Sequence, residues 1–325
     1  MSATSSTATP RWAFLGRFRP ANLPDTLFQG VTGLCACVVL LLIGAMFVEM
    51  IQNSVLSIQK FGFRFLSEST WDPVAGEFGA LPFVYGTLVT SIIALLISVP
   101  ISIAVATFVT YQAPARLRRP VISLVELLAA IPSVAYGLWG IFVLAPFMRD
   151  YVAPVLRDSL GFIPLFQGPS FGVGMLTAGL ILAIMVTPIV TAVSRDVLAA
   201  VPTHQRDGAL ALGGTQWEST RVVLSYALPG IVGAVILGLA RAVGETMAVT
   251  MVIGNRPEIS ASLFAPGYTM ASVIANEFTE ATEPLYLHAL IEIGVLLFVV
   301  SFLVRACAQL LVWYATRGRT LGREG

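Results

Sequence analysis

Six apolar runs organise this chain: Phe28 to Ile51, Pro82 to Tyr111, Pro120 to Phe147, Phe171 to Ser194, Pro229 to Gly254 and Leu285 to Thr316. Each exceeds the ~20 residues an α-helix needs to cross the hydrocarbon of a bilayer. Polar, charged or proline-rich stretches separate them. The pattern predicts an all-α integral membrane protein with six transmembrane helices. The first run is too long for the core of a signal peptide and is read as an uncleaved spanning helix. The expected organisation is a tail over 1–27, the first helix and a polar segment over 28–81, a transmembrane domain over 82–316, and a second tail over 317–325. Pro100 and Pro132 fall inside runs, which membrane helices tolerate.

The connection over 195–228, between the fourth and fifth runs, is polar enough to lie in water and reads as two short helices. Pro202 suits a first helical position. Gly213-Gly214 supplies a stop. Thr215, with Glu218 three residues on, makes a capping box for a second helix. An ordinary loop is one reading. An ordered helix–glycine–helix between spans also suits a docking surface, with Trp217 as an anchor if it is exposed.

Composition agrees. Of 325 residues, 56% are hydrophobic and 11% charged, against about 25% charged in soluble domains. The net charge of +1 gives no nucleic-acid footprint. Cys35, Cys37 and Cys307 lie in apolar runs, and His204 and His288 are far apart, so neither a disulfide framework nor a metal site is legible. Lys60 is the only lysine and follows no glycine-rich loop, which excludes a P-loop. No cofactor is expected on this chain. If ATP drives transport, ATP and Mg belong to a partner.

Charge also orients the spans. Twelve arginines (positions 11, 17, 19, 116, 118, 119, 195, 206, 221, 317, 319 and 323) fall in the tails, the 112–119 loop and the hairpin. The opposite loops hold Lys60, Arg64, Arg149, Arg157 and Arg256. The positive-inside rule then puts both termini and the hairpin in the cytosol.

Arg241 and Glu245 interrupt the fifth run at i,i+4 spacing. Counted from Pro229 at 1.5 Å per residue, Arg241 lies ~18 Å along the helix, near mid-membrane. An isolated charge at that depth costs roughly 2.5–3.5 kcal/mol. Two readings stand: an ion pair that locks the bundle, and a lining of a permeation path in which the arginine fork meets an oxyanion. Ala234, Gly238 and Ala248 give the same face small side chains, for close packing or for room. Glu126, Glu292 and Arg305 are further charges inside runs, each able to reach a polar partner or the interface. Ser133 follows Pro132 at an expected kink.

RDGALALGG (Arg206 to Gly214) resembles the EAA loop of ABC importer membrane subunits, with Asp207, Gly208, Ala209 and Gly213 at the motif positions. The motif acid is Asp here and its second position Gly. In VVLSYALP, Ser225 stands where the family has its first proline, and Leu228-Pro229 supply a later one. WDPVAGEFGALPFVYGTLVTS, VELLAAIPSVAYGLWGIFVLAP and GLARAVGETMAVTMVIGN resemble the PstC-type permease of the phosphate-specific ABC importer, a likeness covering residues 60–316. It implies a type I ABC importer permease fold with cytosolic coupling helices, in the cell inner membrane. It implies phosphate as substrate, with Arg241 and Glu245 on its pathway, and an ATPase contact formed by Arg206, Asp207, Gly208, Ala209, Gly213 and Trp217. It also implies three partners: a companion phosphate permease completing a heterodimer, an ATPase dimer, and an external phosphate-binding protein docking on 52–80 and 255–284. A sulfate or molybdate permease would share the EAA loop without GETMAV. A secondary anion transporter would need no docking hairpin.

Overall fold

The computed structural model describes residues 23–317, with side chains described for 27–310. The tail arginines Arg11, Arg17, Arg19, Arg319 and Arg323 lie outside the described residues. The chain forms two compact units, Met1–Glu49 and Met50–Gly325. The first is represented by helix α1 (Leu23–Gln52), apolar along its length, with exposed side chains from Leu27 to Met46.

Six stretches among the described residues are long and apolar enough to cross a membrane: Leu27–Gln52, Leu81–Gln112, Ser133–Leu160, Met175–Ala199, Gln216–Val243 and Pro284–Leu310. Short helices α2 (Val55–Phe61) and α3 (Arg64–Ser67) and a hairpin of β1 (Trp71–Asp72) with β2 (Glu77–Phe78) lead into α4 (Leu81–Thr107). Pro100 sits inside α4, which continues as a π-helical turn over Phe108–Gln112.

The third and fifth spans differ from their expected bounds. The third was expected from Pro120. Instead, α5 (Ala115–Ala130) is a separate amphipathic helix carrying Arg116, Arg118 and Arg119. Ile131, held extended ahead of Pro132, breaks the chain. The span then runs from Ser133 through α6 (Ser133–Trp139), α7 (Ala145–Phe147) and α8 (Ala153–Leu160), joined by π-helical stretches. The expected bend is therefore present as the break at Ile131-Pro132, and Ser133 starts the next helix. The fifth span does not begin at Pro229. After α9 (Met175–Ala199) and α10 (Thr203–Ala211), α11 runs unbroken over Gln216–Val243 with Pro229 in its interior. The hairpin thus has one free helix and one that is the foot of a span. It is also shorter than 195–228, because α9 absorbs residues 195–199.

Beyond α11 come α12 (Met247–Val252), α13 (Met270–Glu277) and α14 (Pro284–Arg317). Within the second unit three buried clusters stack along the spans. At the hairpin end Ala106, Leu198, Val201, Val223, Ala227 and Ile231 join α4, α9 and α11. A middle cluster centres on α9, with Ile181, Val186 and Val190 against Ala234 and Val249. At the far end Trp71, Phe78, Phe83, Tyr268 and Leu290 cap the bundle.

Among lipid tails, helices associate by close packing more than by hydrophobic burial, and glycines permit it here. A Cβ on Gly179 would lie 2.6 Å from Ile93 Cγ2, and one on Gly140 would lie 2.7 Å from Val252 Cγ1. In the cap, Glu277 Oε2 accepts from Trp71 Nε1 at 2.8 Å and from the Tyr286 hydroxyl at 2.7 Å. One carboxylate of the 255–284 segment is thereby used internally, while Glu258, Glu280 and Glu283 stay exposed.

Candidate functional site: a broken helix with a half-open arginine

Helix α11 ends at Val243. Gly244 turns the chain, the Glu245 N–H reaches back to the Ala242 carbonyl at 3.4 Å, and α12 begins at Met247. Arg241 is in the last turn of α11 and Glu245 is in the break. Glu245 Oε2 takes Arg241 Nη2 at 3.2 Å, and Oε1 accepts from the Ala248 N–H at 3.4 Å. One carboxylate therefore ties both helical pieces together. Its side chain is 5% exposed, while that of Arg241 is 47% exposed. The acid is interior, and the guanidinium is held on one side and open on the other. A guanidinium has five N–H donors in a planar fork, so donors remain for an oxyanion.

The expected i,i+4 pair is present, but not on one continuous helix. Its depth cannot be counted from Pro229, since α11 starts at Gln216. The neighbours set it instead. A Cβ on Gly238 would meet Val190 Cγ2 at 2.6 Å and Val186 Cγ1 at 2.8 Å, so Gly238 packs at the middle of α9. Arg241 lies about one 5.4 Å turn beyond. The small residues Ala234, Gly238 and Ala248 are buried packing positions and do not make room for a solute.

At the other end of α11, the hairpin forms as its punctuation requires. Pro202 precedes α10 as its cap, one position before the expected one. Gly213 has φ +83°, a conformation L side chains resist, and the N–H groups of Gly213 and Gly214 return to the carbonyls of Leu210 and Ala209. The Thr215–Glu218 capping box is complete. Asp207, Gly208 and Gly213 are exposed and Ala209 half-buried. Trp217 is 68% exposed. Leu212, which sequence reasoning missed, is 92% exposed.

Arg206 departs from the expected set. Its guanidinium lies over the Tyr111 ring, 5.3 Å from the centroid, and donates to Gln216 Oε1 at 3.2 Å. It is an internal tie of the hairpin and is half-buried. No spacing rule links Arg206 to Tyr111, 95 residues earlier.

The remaining charges separate. Glu126 is on α5, outside the six spans, and faces Arg195 at 3.6 Å with 61% of its side chain exposed. Arg305 is exposed on α14. Glu292 lines a groove of about 320 Å³ with Ile58, Phe65, Val295 and Val299.

Residues 98–312 match the family described as binding-protein-dependent transport system inner membrane component. The chain belongs to that family. The matched region contains α9, the hairpin and the broken helix, so the family segment holds both ends of α11. Among curated relatives, the phosphate transport system permease protein PstC of Mesorhizobium japonicum is 48% identical over 292 residues, 88% of this chain and 89% of the relative. The protein of that name from Haemophilus influenzae is 46% identical over 293 residues, 89% and 93% of the two chains. A probable PstC from Methanocaldococcus jannaschii is 37% identical over 82% of this chain and 86% of its own. As a membrane component of a binding-protein-dependent system, the chain works with other subunits.

Proposed function

We propose that this chain is one of two membrane-spanning permeases of an ATP-driven inorganic phosphate importer. The observation that carries the reading is the Arg241–Glu245 pair: a permanent cation near mid-bundle, anchored on its inner side and open on its outer side. That geometry suits an oxyanion, and the relatives' phosphate name supports phosphate over sulfate or molybdate. Phosphate takes charge-assisted hydrogen bonds from Arg241. Glu245 holds the guanidinium when the path is empty and competes for it when phosphate must leave.

A companion permease faces the open side of Arg241. The exposed hairpin surface of Asp207, Gly208, Ala209, Leu212, Gly213 and Trp217 docks on an ATPase dimer, which holds ATP and Mg. An external phosphate-binding protein docks at the aromatic cap and its exposed Glu258, Glu280 and Glu283. The arginine bias puts the hairpin and both termini in the cytosol of the inner-membrane complex. ATP-driven closure of the ATPases moves the hairpin and switches the spans between inward-open and outward-open states, a rigid-body transition.

The test is phosphate uptake by vesicles containing this chain, the companion permease and the ATPase, with the binding protein added outside. Uptake is expected only with ATP and the ATPase, and excess sulfate leaves it unchanged. Uptake without an ATPase would make the chain a secondary transporter. Equal competition by sulfate or molybdate would make it a permease for another oxyanion.

A further inference from the structure

The Arg206 contact has a function that docking alone does not use. Hairpin helix α10 is covalently continuous with α11 through Leu212–Thr215 and with α9 through Ala200–Pro202. It has no covalent link to α4. Tyr111 supplies a non-covalent one. It sits in the π-helical turn that ends the α4 span, and π-turns inside helices recur at functional positions. The Tyr111 hydroxyl donates to the Leu198 carbonyl at 2.5 Å, a group in the last turn of α9 that also accepts from the Val201 N–H at 3.3 Å. Its ring receives the Arg206 guanidinium, a cation–π contact.

Arg206 is tied at both ends: its guanidinium donates to Gln216 Oε1 at 3.2 Å, and its carbonyl accepts from Ser219 Oγ at 3.3 Å. The hairpin therefore moves with the foot of α11. Beneath the junction, Ala106, Leu198, Val223 and Ala227 pack α4, α9 and α11 into one cluster, with Tyr111 against it.

We propose that Tyr111 and Arg206 are positioning residues that transmit hairpin displacement to α4, so that α4 switches together with α9 and α11, to which the hairpin is joined by the chain. This rests on the hairpin being the ATPase contact. It assigns Arg206 to transmission inside the chain and leaves docking to Trp217 and its exposed neighbours.

The experiment measures phosphate transported per ATP hydrolysed by the reconstituted complex, with ATPase co-purification scored in the same preparations. Tyr111→Leu and Arg206→Gln are each expected to retain the ATPase and hydrolyse ATP within about 2-fold of the parent, while phosphate per ATP falls about 10-fold; the double variant falls no further, the non-additivity of residues acting as one unit. Arg206→Gln leaves the buried cluster untouched and keeps the test decisive if Tyr111→Leu does not assemble. An unchanged ratio overturns the proposal, as does a double variant whose losses multiply. Loss of the ATPase from Arg206→Gln also overturns it, since Arg206 would then support docking. ATP-driven uptake by the parent complex checks the underlying reading separately.

Discussion

Arg241→Gln lowers phosphate uptake by the reconstituted complex about 100-fold or more, and the complex still assembles. The first half follows from charge. A hydrogen bond to a charged group contributes about 1.5–3 kcal/mol, and an arginine fork offers an oxyanion two at once. Glutamine offers one neutral amide and no charge. Two such bonds correspond to the expected loss at about 1.4 kcal/mol per factor of ten.

The second half follows from how Glu245 is held. Leaving a buried charge without its partner costs about 3–5 kcal/mol. Here the arginine side of the pair is 47% exposed, which weakens the pair. A glutamine amide can still donate to the carboxylate, whose other oxygen keeps the Ala248 N–H. Arg241→Lys keeps the charge and loses the fork, so an intermediate loss of about 10-fold is expected. Co-purification and thermal stability report assembly, and vesicle uptake reports transport. Normal uptake by Arg241→Gln would remove Arg241 from the path.

The double variant Trp217→Ala with Leu212→Ala abolishes co-purification of the ATPase without unfolding the permease. Both side chains are exposed, at 68% and 92%, so their removal leaves no cavity in the chain. They lie on either side of the glycine stop, where the N–H groups of Gly213 and Gly214 bond back to the Leu210 and Ala209 carbonyls. Aromatic anchors at interfaces contribute about 2 kcal/mol or more each, so losing the tryptophan and its apolar neighbour weakens docking about 100-fold. An unchanged ATPase yield with unchanged uptake would move the contact elsewhere. Arg206→Gln, whose cation is turned inward on Tyr111, keeps the ATPase bound and separates docking from transmission.

Much of this was legible in the sequence because bilayer physics is local. Six apolar runs, a glycine pair and a Thr–Glu spacing are read directly, and the spans, the stop and the capping box follow. Local signals misled at three places. Leucines and valines continue past Pro132, so hydropathy merged α5 with the third span. The geometry before a proline breaks them apart. Pro229 looked like a helix start and is an interior proline of α11. The break after Val243 carries only Gly244 as a marker inside an apolar run, and no periodicity rule distinguishes it from a tolerated glycine.

The charged pair was found by its spacing. That one partner is buried and the other half-open comes from the assembled helices and is absent from the spacing. Arg206 is expected as an ATPase contact because it belongs to the stretch that resembles the EAA loop. Its ring partner belongs to another span.

The account depends on Arg241 facing water from each side of the membrane in turn. A direct measurement places Arg241→Cys in a chain whose Cys35, Cys37 and Cys307 are replaced by serine, and treats sealed vesicles of the whole complex with a membrane-impermeant thiol reagent. The account predicts labelling from the hairpin side without nucleotide, and labelling from the opposite side with the ATPase trapped in its ATP-bound state. Labelling by a lipid-soluble reagent alone, in either state, would contradict it.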